Sequence, residues 1–379
     1  MDLESQITSL KADRGSINSA MMHMNRDPIN WLPGKPTHIL ESHRGGITCV
    51  SFHPTFTSIA SGSDDCTIKI WDWELGEPEK TLKGHTRPVN GLDFGGQKDQ
   101  ILLASCSNDL LIKIWDPSKN YANVRTLSGH DHSVSCVRFL RSDDNTLVSA
   151  SRDASIRIWD ASTGFCMRTI HTQHDWIRDI SPSSDGKWLI SGGHDQAATT
   201  WDVSSGKARV TFRGHENHVE CCVFAPLASH PYLATLAGWK ESRRASSSAQ
   251  FVATAGRDKT IKLWDSSGYL IKTLVGHNNW VTSLVFHPGG RFLLSASDDQ
   301  TLRCWDLAQQ GKLSKVVDNT HGGFISCIQW VPCVVNSAEN ASYRRIPSKG
   351  GEAERGPSNS GMRCVVATGS ADKKVRIFM

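Results

Sequence analysis

Apolar and polar positions alternate in three short runs across residues 129–160, GHDHSVSCVRFLRSDDNTLVSASRDASIRIWD. Val134, Cys136, Val137 and Phe139 mark the first run, residues 147–151 the second and residues 155–159 the third, with a turn at Arg152 and Asp153. A period of two, rich in β-branched and aromatic residues, predicts three antiparallel strands. Such a unit cannot bury both faces by itself, so it must pack against others like it.

The unit recurs. An Asp is followed six positions later by an aromatic residue at Asp65/Trp71, Asp109/Trp115, Asp153/Trp159, Asp195/Trp201, Asp258/Trp264, Asp299/Trp305 and Asp372/Phe378. Four residues before each Asp stands a hydroxyl: Ser61, Ser105, Ser149, Ser191, Thr254, Ser295 and Thr368. Upstream of each stands a His: His43, His85, His130, His174, His215, His277 and His321. Most Asp-to-Asp spacings are 41 to 44 residues, the period of a propeller blade of four short strands. The predicted fold is therefore all-β: a seven-bladed WD-repeat β-propeller with a short helical or coil tail at its N-terminus.

Ser, His and Asp together also suggest a catalytic triad. A nucleophilic site is built once, beside its own oxyanion hole and pocket, whereas this set is built seven times in register. Resemblance to WD-repeat proteins implies a structural tetrad instead, with His, Asp, hydroxyl and strand-end Trp hydrogen-bonded inside each blade. His85, Ser105, Asp109 and Trp115 form one such set. His130, Ser149, Asp153 and Trp159 form another, and His277, Ser295, Asp299 and Trp305 a third.

Composition narrows the function classes. The formal net charge is +4, from 42 basic and 38 acidic side chains, so no overall field calls for nucleic acid. The 11 cysteines are odd in number, lie mostly inside strand patterns and include no CxxC pair. They read as free thiols of a reducing compartment. With no signal peptide and no apolar run near membrane length, the chain is expected in the cytosol without membrane insertion, and the sequon at Asn340 carries no meaning. No Gly-rich phosphate loop, metal-ligand cluster or lone nucleophile with a positioned base stands out, so neither a cofactor nor an enzymatic activity is expected.

Taken in order, residues 1–24 space Leu3, Ile7, Leu10, Ile17, Met21 and Met24 like a coiled-coil remnant, interrupted by Gly15 and Ser16. Residues 25–36 form a proline-rich linker, and the propeller occupies 37–379. The seventh unit lacks a fourth strand after Phe378. Closure then requires residues 37–40 to supply the outer strand of the last blade and remove an open edge. Phe378 in place of Trp marks this seam as the weakest. Two insertions break the period, at about 226–250 and 332–362, both after the first strand of a unit and on the face opposite the His and Asp turns. The second is polar and rich in Gly and Pro. Arg243-Arg244-Ala245-Ser246 matches a basophilic kinase site by sequence alone.

The His/Asp face carries the informative residues: Arg44, Arg87, Trp176, Arg178, Asn217, Trp280 and Phe324 after the His positions, and Arg152, His194 and Arg257 before the turn Asp. Trp and Arg are enriched at binding hot spots, and here they gather in units three to six. The stretches RDPINWLPGKPTHILESHRGGITCVSFHPTF, EKTLKGHTRPV, SGHDHSVSCV, SASRDASIRIWD, HTQHDWIRDI, NHVECCVFAP, GRDKTIKLWD and TLVGHNNWV resemble the lissencephaly-one/nuclear distribution family in a fungal-type form, over residues 26–379. That resemblance implies a regulator of cytoplasmic dynein acting in nuclear migration and spindle positioning, at microtubule plus ends and spindle poles. It also implies two partners, the dynein heavy-chain motor domain and a NudE-like coiled-coil adaptor. The family's motor-contacting surface maps onto Arg152 in SASRD, Arg178 in HDWIR, Arg257 in AGRDKT and Trp280 in HNNWV. A basic family position is Gln300 here. The family begins with a Lis homology dimerisation motif and a longer coil. A chain with only the last turns of that coil is expected to be monomeric and to lose the avidity of a dimer. The alternatives are a regulatory subunit of an acetylhydrolase complex and a generic WD-repeat adaptor.

Overall fold

The computed structural model describes residues 32, 34–97, 100–140, 145–172, 175–239, 247–331 and 365–379. The coil remnant at 1–24, His174, the basic motif at 243–246, the sequon at Asn340 and the insertion at 332–362 all lie outside the described residues. The strands assemble into seven four-stranded antiparallel sheets, six of them in simple chain order. The first blade shows the logic. Its innermost strand, Ile47–Phe52, is followed by Ser58–Ser63, Thr67–Asp72 and the outermost Glu77–Lys83. The second strand is buried throughout, whereas the outermost buries only Leu82. Burial of both faces is what neighbouring blades provide, since a lone sheet would leave one face wet.

The seventh sheet closes the ring. Its strands run Ile325–Trp330, Val366–Ser370 and Lys374–Phe378, and the fourth is His38–Glu41 from the start of the propeller. His38 pairs with Ile377 and Leu40 with Val375, and the Thr37 amide donates to the Ile377 carbonyl at 2.7 Å. Leu40 occupies the place that Leu82, Leu127, Ile170, Phe212, Leu274 and Val317 hold in the other six outer strands, and like them it is buried. A further anchor precedes it. Leu32, in the stretch read as an extended linker, is 2% exposed and packs with Trp330, Phe292 and Phe378 at the seam of the last two blades. The Lys315 ammonium reaches its carbonyl. The seam with the smaller aromatic residue thus receives an additional apolar side chain.

Two local features recur in every blade and set the functional face. The residue after each tetrad Asp is left-handed: Cys66, Leu110, Ala154, Gln196, Lys259, Gln300 and Lys373 have φ between 62° and 71°. None is Gly, so each turn stores strain of about 1 kcal/mol. The Asp side chain holds the turn by accepting the amide two residues on, as Asp153 does from Ser155 at 2.8 Å. Each innermost strand also carries a register shift near its start, as between Ile47 and Cys49 or Val89 and Gly91. The shift lifts one residue per blade out of the ladder: Thr48, Asn90, Ser135, Arg178, Glu220, Thr282 and Ser326.

The insertion after the fifth innermost strand, Val219–Phe224, folds back on the body. Its helix His230–Leu236 buries Leu233 and Ala234 beside Phe286 and Leu307 of the next blade, and Trp239 meets Phe251 with ring centres 5.0 Å apart.

Candidate functional site

Within the blades, hydrogen bonds run in one chain through the tetrads whose four members are described. In the third blade the Trp159 indole donates to Ser149 at 2.8 Å. The Ser149 hydroxyl faces His130 Nε2 at 2.7 Å, and His130 Nδ1 faces Asp153 at 2.8 Å. The Asp131 amide donates to the same carboxylate oxygen. The set at His85, Ser105, Asp109 and Trp115 repeats these contacts, as does that at His277, Ser295, Asp299 and Trp305. His43 with Asp65 and His215 with Asp258 do the same. In the fourth blade the Trp201 indole donates to Ser191 at 2.8 Å. In the seventh, His321 bonds Thr368 and Asp372, but Phe378 offers no indole donor. In blades one, two, three, five and six the hydroxyl is bonded by both an imidazole and an indole. The tetrads tie strands together.

The direction of these bonds requires a neutral imidazole and an ionised carboxylate. Burial pushes His321 down to about 4, and it lowers His43 and His277 as well. Burial alone would raise Asp258, but bonds from His215 and Thr260 outweigh it and hold the carboxyl at about 2. An unfolded His titrates near 6.5 and an unfolded Asp near 3.9. Below about pH 6.5 the unfolded chain therefore takes up protons that folded His43, His277 and His321 refuse, and folding weakens as pH falls toward 4. The Asp contribution is lost lower still, as pH falls through the depressed carboxyl values. The thermal midpoint, measured against pH, is expected to be level above about pH 7 and to drop continuously below about 6.5. A midpoint unchanged between about pH 7 and 5 would contradict this.

A second arrangement appears on the face of the His and Asp turns, in blades three to six. The turn residue of one blade stacks on the strand-entry residue of the next. The Arg152 guanidinium lies 5.0 Å from the Trp176 ring centre. The His194 and His218 rings stack at 4.0 Å and 15°. The Arg257 guanidinium lies 4.1 Å from Trp280. Trp176 and His194 join the first pair to the second, with ring centres 4.7 Å apart. Backbone bonds hold every turn residue to its own blade's entry: Arg152 to Ser133, His194 to Trp176, Arg257 to His218 and Asp298 to Trp280. The two indoles remain 37% and 38% exposed, enough to present a ring face to a partner.

Beneath this row lie the residues lifted out of the innermost strands. In four blades they stitch one blade to the next: Thr48 to the Val89 carbonyl, Asn90 to Val134, Thr282 to Ile325 and Ser326 to Ile47. In blades four and five the same position holds Arg178 and Glu220, an ion pair at 3.7 Å. Glu220 also accepts from Arg257 Nε at 2.5 Å, and Arg178 Nε donates to His194 Nε2 at 3.1 Å. Charge thus replaces neutral stitching only beneath the stacked row. Asp298 stands nearby, its carboxyl raised to about 6 by burial and then by Glu220.

The structure brings Arg178, Arg257 and Trp280 into one connected cluster through Glu220, and joins Arg152 to it through Trp176 and His194. Arg178 differs from the sequence expectation in one respect: it lies on a strand and is partly buried, because the register shift turns it toward the rim. Glu220, His218 and Asp298 were not among the sequence candidates. A charged residue at the lifted position, where other blades carry Ser, Thr or Asn, was the available signal. Gln300 lies in the strained turn after Asp299.

The WD domain, G-beta repeat family model matches residues 34–72, 76–116, 122–160, 164–202, 206–265 and 268–306. The chain is 63% identical to nuclear distribution protein PAC1-1 of Uncinocarpus reesii, and 62% identical to nuclear distribution protein nudF of Aspergillus terreus. Identity to nudF of Emericella nidulans is 60%. Each alignment covers 100% of this chain and 84% of the relative. The chain belongs to the PAC1/nudF family of nuclear distribution proteins. Among the described residues no helix is long and apolar enough to cross a membrane.

Proposed function

We propose that this chain is a non-catalytic regulator of cytoplasmic dynein that binds the motor domain through the rim of blades three to six and supports nuclear migration and spindle positioning. The reading places it in the cytoplasm, at microtubule plus ends and spindle poles, with a NudE-like adaptor as second partner. One observation carries it: Arg152, Arg178, Arg257 and Trp280, which family resemblance assigns to motor contact, share a continuous stacked and ion-paired surface. Such a surface suits protein recognition. The guanidiniums are held by aromatic faces and partly buried acceptors, so little conformational freedom remains to be lost on docking. A partner patch bearing carboxylates meets the exposed edges of the arginines. The names of the relatives, nuclear distribution proteins, are consistent with this role.

Titration of purified dynein motor domain against the wild-type chain and Trp280→Ala is the test. The substitution removes the platform under Arg257 and is expected to cost about 2 kcal/mol, more than tenfold in Kd. Equal binding by both proteins would move the contact to another face, and no binding by either would reject the motor domain as partner of this chain.

A further inference from the structure

The contact between Arg178 and His194 constrains more than position. A guanidinium nitrogen only donates, and it does so in every accessible protonation state. His194 Nε2, 3.1 Å from Arg178 Nε, must therefore accept, and it can accept only as a neutral imidazole carrying its proton on Nδ1. Protonation would set N–H against N–H and add a cation to a crowded place. Arg178 stands at the ring edge, the His218 ring is stacked at 4.0 Å, and Arg257 belongs to the next turn. Against these stands Asp175, on the loop before Trp176, together with Glu220 across the ion pairs. The His218 ring is fixed in turn, because its Nδ1–H donates to the His194 carbonyl at 2.8 Å.

We propose that His194 is a positioning residue of the partner surface, and that docking requires it as a neutral imidazole accepting from Arg178. The proposal rests on the reading of that surface as the partner site. Through Arg178 the imidazole sets the Arg178–Glu220–Arg257 chain, and through its ring faces it joins Trp176 to His218. Losing the accepted bond frees Arg178 and loosens both halves of the row, so the surface is competent at neutral pH and fails as His194 gains a proton. Burial lowers the tendency of His194 to protonate, and the neighbouring His218 and Arg178 lower it further, so binding is retained above the ordinary imidazole range and lost as pH falls below it. Asp298, raised to about 6, titrates in the same window. Its contribution is common to any variant that changes His194 alone, so a comparison between variants isolates the imidazole.

His194→Gln places an untitratable acceptor near Nε2, and His194→Lys places a permanent cation there. Affinity for the dynein motor domain would be measured from about pH 7.5 to 5.5, the range in which imidazoles titrate. At the upper end the Gln variant keeps the acceptor but loses the ring stacking, so it is expected to bind a few-fold more weakly than wild type, and the Lys variant about tenfold more weakly. Toward the lower end wild type is expected to lose affinity severalfold relative to its own value at the upper end, by less than about tenfold because His194 is held below the ordinary imidazole value, whereas the Gln variant lacks that loss. Superimposable pH profiles for wild type and His194→Gln would overturn the proposal, provided that Trp280→Ala still weakens binding. A Trp280→Ala protein that binds normally would remove the surface itself, and His194 with it. Nitrogen-15 NMR of the histidine side chains in the wild-type chain gives a readout independent of variant folding. An unprotonated Nε2 at neutral pH supports the assignment, and a proton on Nε2 overturns it.

Discussion

Ser149→Ala is expected to destabilise the third blade by about 2–5 kcal/mol, because one oxygen serves two buried partners. His130, Ser149 and Trp159 are 5%, 0% and 1% exposed, so water cannot replace the lost hydroxyl. The substitution leaves His130 Nε2 without its donor and the Trp159 indole without its acceptor, each costing about 1–3 kcal/mol. The thermal midpoint should fall by several degrees, at roughly 1–2 °C per kcal/mol for a chain of this length. Ser149→Thr supplies the control, since Thr254 does the same work in blade five. That variant should stay within about 1 kcal/mol of wild type. A Ser149→Ala midpoint within about 2 °C of wild type would mean that the tetrad contributes little beyond packing.

Deleting residues 37–42 should have a larger effect still. It removes the whole ladder from His38↔Ile377 to Glu41↔Lys374 and empties the seat of Leu40 among Trp73, Val375 and Ile377. It also shortens the connection to Leu32, which packs between the last two blades. Leu40→Ala, which keeps the ladder, is expected to cost about 2–5 kcal/mol by cavity formation alone. The deletion must exceed that value and leave the Lys374–Phe378 strand as an unpaired edge open to pairing between chains. Calorimetry together with light scattering would show a markedly lower midpoint and concentration-dependent aggregation. Equal midpoints for the deletion and wild type would mean that the ring does not depend on this strand.

The residues at the seam also show where reading the sequence stopped. The closing strand could be inferred because a blade with three strands needs a fourth, and 37–40 was the available run. Leu32 could not, because nothing in NWLPGKP distinguishes a buried leucine from an exposed one. Its burial depends on a groove that exists only after blades six and seven have packed.

The proposed partner surface divides in the same way. Arg152, Arg178, Arg257 and Trp280 were legible as large residues at loop positions that repeat in register, and the tetrads as a pattern repeated seven times. Both signals are local: each is written within one repeat and survives whatever the neighbours do. The roles of Glu220, His218 and Asp298 were decided by contact across blades. The register shift of each innermost strand lifts one side chain toward the rim, and ring closure then sets it beside a residue roughly one repeat away. By itself the sequence determined the number of blades, their internal hydrogen bonds and the face on which unusual residues gather, because period-two patterning and the spacing of His, Ser, Asp and Trp are properties of one chain segment. The tertiary structure alone decided that Arg178 meets His194 and that Arg257 lies between Glu220 and Trp280. Those contacts depend on the angle and distance between adjacent sheets, which no single repeat encodes.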